Sequence, residues 1–167
     1  MVYANYAALA AVEVEGVDYL RTVSTVVGAR YASVAIHGGG IEAGSGEMAQ
    51  YVAGTSMSYY EFDGIKSSGN SALHITSTAF DEPLGVALIS GCERALSFHG
   101  FTGTGGVPET AVGGGDAVRA RLVADALTNA GFTCITAPSE IAGSDPANFC
   151  NRTTSGGGVQ LEMSLAL

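Results

Sequence analysis

Residues 30–54 read RYASVAIHGGGIEAGSGEMAQYVAG. The apolar run ends abruptly at His37, three glycines follow, and Glu42 comes after four intervening residues. RYASVAIHG, residues 30–38, has the composition of a buried strand. EMAQYVAG, residues 47–54, reads as a short helix, with Ser45 as its N-cap and Gly54 as its stop. A buried strand that runs through a glycine loop into a helix is the repeating unit of layered α/β folds. In such folds the loops at strand ends carry the chemistry. An imidazole beside GGG is poor core material, and a strand interior gains nothing from so much glycine.

Working outward, the same alternation recurs. Residues 3–11 suit a short helix, and 18–25 alternate as a half-buried strand. Residues 56–64 predict an aromatic-rich strand and 71–78 another. Residues 81–91 open with acids and Pro83, as helices do. RALSFHG, residues 94–100, is a strand that ends at His99, and 101–115 is a glycine-rich loop. Residues 116–131 form the clearest amphipathic helix, from Asp116 to Gly131. Strands follow at 132–137 and 159–167, separated by a loop-rich stretch at 143–158. The expectation is an α/β fold: one domain over residues 1–167, layered around a central mixed sheet.

Composition narrows the function. The chain has 167 residues, 47% of them hydrophobic and 14% charged, which suits a folded domain rather than a disordered segment. Seven Lys plus Arg stand against sixteen Asp plus Glu, for a net charge of −9. Nucleic-acid binding relies on clustered basic residues, so none is expected. No basic leader precedes the apolar N-terminal residues, and no run reaches the length of a membrane span. The reading is a monomer without a signal peptide or membrane contact, cytoplasmic or released by lysis. Cys92, Cys134 and Cys150 form no metal-type pair; they read as free thiols, or as one disulfide and one thiol.

Two strands therefore close on the same His-Gly ending, SVAIHGGG at His37 and ALSFHG at His99. If they are parallel neighbours, both imidazoles stand at one sheet edge, where the 38–46 loop can return Glu42. Two histidines and a carboxylate are the ligand set of several hydrolytic zinc sites, with a further position left to water. Glu47 is a rival to Glu42, although it suits the first turn of the following helix. Glu162, in the apolar segment VQLEMS, is either a solvent-facing strand residue or a general base beside the metal. Each histidine alone is as well explained as a core or surface residue.

AIHGGGIEAGSGEMA, YYEFDG, LHITSTAFDEP, SFHGFTG, VGGGD and NFCNRTTSGGGVQLEMS, taken together and in order, resemble the phage-type poly-γ-glutamate hydrolase family. The likeness runs from about residue 18 to 165. Members of that family degrade the poly-γ-glutamate capsule of bacilli, and some carry the name phage-related replication protein. The resemblance implies a zinc carboxypeptidase-like α/β fold. It implies Zn2+ held by His37, Glu42 and His99, with Glu162 as catalytic base. Arg152 and Asn151 resemble the Asn-Arg pair with which carboxypeptidases grip a substrate carboxylate. His74, in LHITST, reads as a further substrate contact or as a polar core residue.

The implied reaction is hydrolysis of γ-glutamyl amide bonds in an anionic polymer. Two other readings stay open: a zinc hydrolase of small N-acyl amino acids or peptidoglycan-type γ-glutamyl bonds, and a non-catalytic binding module.

Overall fold

A computed structural model describes residues 2–167. Its strands are β1 (Tyr19–Ser24), β2 (Tyr31–Gly39), β3 (Ser58–Gly64), β4 (Arg94–Phe101), β5 (Thr110–Gly113), β6 (Cys134–Thr136) and β7 (Val159–Ser164). They form one seven-stranded sheet in the order β1-β3-β2-β4-β7-β5-β6. The middle four, β3, β2, β4 and β7, are parallel; β1 is antiparallel to β3, and β5 is antiparallel to β7. The mixed sheet expected from the sequence is thus present.

The helices are α1 (Tyr6–Ala10), α2 (Ser45–Ala53), α3 (Pro83–Ser90) and α4 (Ala117–Asn129). Helices α1 and α3 contribute Leu9, Leu88 and Ile89 to the core on one sheet face. There Tyr60, Phe62, Phe80 and Phe149 pack ring against ring with centroids 5.3–6.3 Å apart. Helices α2 and α4 cover the other face through Ala49, Ala53 and Ala120. Small residues there let the helices approach the strands closely.

Two segments depart from the sequence expectation. Residues 71–78, expected as a strand, form a 3-10 turn at Asn70–Leu73 followed by irregular chain. Both edges of the neighbouring strand β3 are already taken by β1 and β2, so the segment has no edge there to join. Residues 110–113, expected as loop, make β5, whose few residues between glycines are too short to show a period. Ser45 lies inside the first turn of α2, and Gly44, at φ 89°, takes the N-cap position.

Two caps show how side chains fix the helix starts. Asp116 accepts the Arg119 N–H at the start of α4. Glu82 accepts the N–H groups of Leu84 and Gly85 ahead of Pro83 in α3. Glu82 is fully buried, and the Arg21 guanidinium lies 2.7 Å from its Oε1. Removing the arginine would leave a buried carboxylate without its counter-charge. Arg21→Met should therefore lower unfolding free energy by about 3 kcal/mol. Urea denaturation checks this, and a loss below about 1 kcal/mol would mean that the cap alone sustains Glu82.

Candidate active site

His37 lies near the end of β2 and His99 near the end of β4, and the two strands run parallel. Strand alternation alone would turn His37 to the α2 side with Ala35, away from Val34 and Ile36. A bulge prevents this. Between Ala35 and Gly38, three steps along β2 match only two along β3, from Glu61 to Asp63. The extra residue re-aims the imidazole. The rings of His37 and His99 meet nearly edge to face, centroids 4.9 Å apart.

The glycines that follow allow the chain to turn in this space. Gly39 has φ 59°, a conformation that side chains rarely adopt. A Cβ on Gly40 would lie 2.4 Å from the Asn70 side chain. The loop then closes on itself. The Glu42 N–H donates to the His37 carbonyl at 2.9 Å, and the Ser45 hydroxyl donates to the Glu42 carbonyl at 2.8 Å. Glu42 is so returned to the histidine from which the loop departed.

Three donor groups converge. His37 Nδ1 lies 2.9 Å from Glu42 Oε1, His99 Nδ1 lies 3.1 Å from Glu42 Oε2, and the two Nδ1 atoms are 3.1 Å apart. The outer ring nitrogens are engaged elsewhere: His37 Nε2 with the Ile75 carbonyl at 2.8 Å, and His99 Nε2 with the Ser97 hydroxyl at 3.1 Å. A carbonyl only accepts, so His37 carries its hydrogen on Nε2 and turns the Nδ1 lone pair inward when neutral. Burial lowers the pKa of His37. For His99 burial opposes the charge, but the Glu42 carboxylate prevails and raises the pKa. Burial also works against ionised Glu42, yet the neighbouring His37, His74 and His99 hold its carboxyl far below the usual range.

The group fits a metal ion. His37, Glu42 and His99 form a cluster able to hold one. Ligands of a tetrahedral zinc at about 2.0–2.1 Å stand about 3.3 Å apart, close to the separations found here. Inward lone pairs on a neutral imidazole beside a carboxylate call for a cation between them, and the outer contacts are those that orient metal-binding histidines. Glu47 instead lies in the first turn of α2.

Glu162 stands next to His99. The two are register partners across β4 and β7, with Ser97 and Gln160 paired two residues earlier on the same face. Burial pushes Glu162 up to about 7, with His99 opposing. His74 stacks on His37 with centroids 3.9 Å apart, and its Nε2 lies 3.4 Å from Glu42. These residues line a cavity of about 320 Å³ together with residues 76–78 and the 139–145 loop.

Arg152 and Asn151 are not brought to that cavity. The Arg152 guanidinium donates to the carbonyls of Phe80, Thr78 and Ala147 at 2.7–3.0 Å. Asn151 is buried, with Oδ1 accepting from Gly115 and Gly158 and Nδ2 donating to the Gly143 and Asp145 carbonyls. Both side chains tie the loops that wall the cavity. Ser97, Gln160 and Asn148, which sequence reasoning missed, support the site from beneath. For Ser97 and Gln160 the one signal was a polar residue two positions before His99 and before Glu162, on the same strand face.

A layered α/β fold with two histidines, a carboxylate and a further buried glutamate over a cleft defines the kind of site used by metal-dependent hydrolases. The comparisons agree with that class. The family model "Poly-gamma-glutamate hydrolase" matches residues 3–167, and the chain belongs to that family. A solved structure of a bacteriophage poly-γ-glutamate hydrolase superposes with a TM-score of 0.94 at 38% identity, covering 99% of this chain and 79% of that one. A zinc-free apo structure of YndL gives 0.92 at 38% identity, covering 99% of this chain and 80% of that one. YndL and the SPbeta prophage-derived YoqZ, both of Bacillus subtilis strain 168, are 40% and 39% identical over 85% of this chain. The chain spans 56% of the length of YndL and 52% of that of YoqZ. Among the described residues no helix is long and apolar enough to cross a membrane. The three cysteines are free.

If Arg152 holds the loops rather than a substrate, its loss will register without substrate present. Arg152→Met should cost about 2 kcal/mol of unfolding free energy, since several carbonyls lose a charged donor. Unchanged stability in urea, combined with a raised KM, would restore the carboxylate-gripping role.

Proposed function

We propose that the chain is a zinc-dependent hydrolase of the γ-glutamyl amide bonds of poly-γ-glutamate. The observation that carries this reading is the convergence of His37 Nδ1, His99 Nδ1 and Glu42 within 3.1 Å, beside buried Glu162, in a chain of this family. The YndL structure is an apo form distinguished as zinc-free, which points to zinc as the ion of that relative. The donor set of the present chain suits the same ion.

His37, Glu42 and His99 would hold the ion. When bound, zinc supplies Lewis acidity that polarises the amide carbonyl and makes the attacking water more acidic. Glu162 takes a proton from that water and returns it to the leaving nitrogen. Its buried position supports this role, because a carboxyl held up near 7 both accepts and releases a proton at neutral pH. His74, stacked on His37 at the cavity wall, contacts the substrate and keeps the His37 ring in place.

No Lys or Arg is among the residues lining the cavity. The polyanion would be drawn instead by the metal charge and by hydroxyls such as Ser77 and Thr78. A cavity of this size accommodates the residues flanking one scissile bond, with the rest of an extended polymer lying outside.

The test combines metal content with turnover. Purified protein reconstituted with zinc should hold one ion per chain and shorten poly-γ-glutamate. His37→Ala should lose both properties. Glu162→Gln should keep the zinc and lose at least about a hundredfold in rate. A Glu162→Gln variant as fast as the wild type would refute the mechanism.

A further inference from the structure

Beneath the site a chain of buried polar side chains leads to Glu162, and its other members, Asn148 and Gln160, are not used by the mechanism above. Asn148, Gln160 and Glu162 are each almost fully buried (5%, 4% and 6% exposed). The Cys150 backbone N–H donates to Asn148 Oδ1 at 3.1 Å. Asn148 Nδ2 donates to Gln160 Oε1 at 3.0 Å. Gln160 Nε2 donates to Glu162 Oε1 at 2.8 Å and to the Ile141 carbonyl at 3.1 Å.

The direction of this chain is fixed by chemistry. A backbone N–H only donates, so Asn148 must present Oδ1 to it and Nδ2 to Gln160. Gln160 must then offer Oε1 to Asn148 and Nε2 to Glu162. The Ile141 carbonyl, which only accepts, enforces the same orientation. Both Nε2 hydrogens are thereby spent, and neither amide can flip without breaking a buried hydrogen bond. The loop that brings Ile141 presses close: a Cβ on Gly143 would lie 2.5 Å from Gln160 Oε1.

We propose that Gln160, locked by Asn148, is a positioning residue that reserves Glu162 Oε1 as an acceptor and leaves Oε2 as the oxygen that handles the proton. This assignment rests on the hydrolase reading given above. In the step, one proton of the attacking water passes to Oε2 while the water oxygen bonds to the amide carbon. The C–N bond then breaks, and the proton on Oε2 passes to the leaving nitrogen. Oε1 stays unprotonated throughout, because the group facing it has only a hydrogen to give. The carboxyl is thus held in one rotamer with one working edge.

Two independent measurements test this. In metal-free protein, the side-chain amide resonances of Gln160 should shift on Glu162→Leu and again on Asn148→Asp, which keeps the acceptor for Cys150 but removes the donor to Gln160. This readout needs no substrate, so it decides the hydrogen-bond chain even if the wild type proves inactive on poly-γ-glutamate; such inactivity would count against the hydrolase reading alone. Resonances that do not move overturn the proposal. In the zinc-loaded enzyme, Gln160→Met should lower kcat by about tenfold to a hundredfold, with KM and zinc content unchanged. On a Glu162→Asp background, the same change should cost nothing further, because the residue acts only through the carboxylate. Asn148→Asp should show a smaller kcat loss in the same direction. Multiplicative losses on the Glu162→Asp background, or loss of zinc, would instead assign Gln160 a purely structural role.

Discussion

A half-buried carboxylate between two buried imidazoles is costly unless something charged completes it. In this protein that constraint organises the rest of the fold. Parallel pairing of β2 with β4 puts both histidines at one sheet edge, and one bulge in β2 rotates His37 onto the face of His99. The backbone supplies the remaining fixings: the His37 carbonyl recaptures the Glu42 N–H, the Ile75 carbonyl sets the His37 tautomer, and the Gly100 N–H donates to Glu42 Oε2 at 3.0 Å. Main-chain groups keep their polarity whatever the pH, so a site built on them is oriented before any ion enters.

What the sequence revealed follows the same division. Strong local signals were legible: the apolar strands ending at His37 and His99, the amphipathic helix between Asp116 and Gly131, and Pro83 at the start of α3. Because these side chains sit at or beside strand ends, reading the strands was nearly enough to read His37, Glu42, His99 and Glu162 as one group. The non-local features were not legible. The bulge exists only relative to the register of β3, and residues 71–78 stay out of the sheet because β3 has no free edge. No periodicity within a segment encodes what its neighbours have already occupied.

Arg152 illustrates another limit. The Asn-Arg motif resembled a carboxylate grip, and a guanidinium is chemically suited to one. Its fork instead spans carbonyls from two loops, at 78–80 and at 147. A planar group with five donors binds carbonyls of converging loops as readily as carboxylates. The sequence specifies the donor set but not which acceptors the fold will bring to it.

With Arg152 spent on the scaffold, the electrostatics of the cleft become simple. Glu140 and Asp145 stand on its wall with Glu42 and Glu162, and no Lys or Arg among the described lining residues offsets them. Without a cation the cleft would repel a polyanion, most strongly in low salt. A divalent ion reverses the sign only locally, within a Debye length of about 8 Å at physiological ionic strength. On the proposed reading the attraction would therefore be concentrated at the scissile bond and would not extend along the polymer. A site of that kind holds its substrate at one place and grips the remainder weakly, which suits release of a long product after each cut.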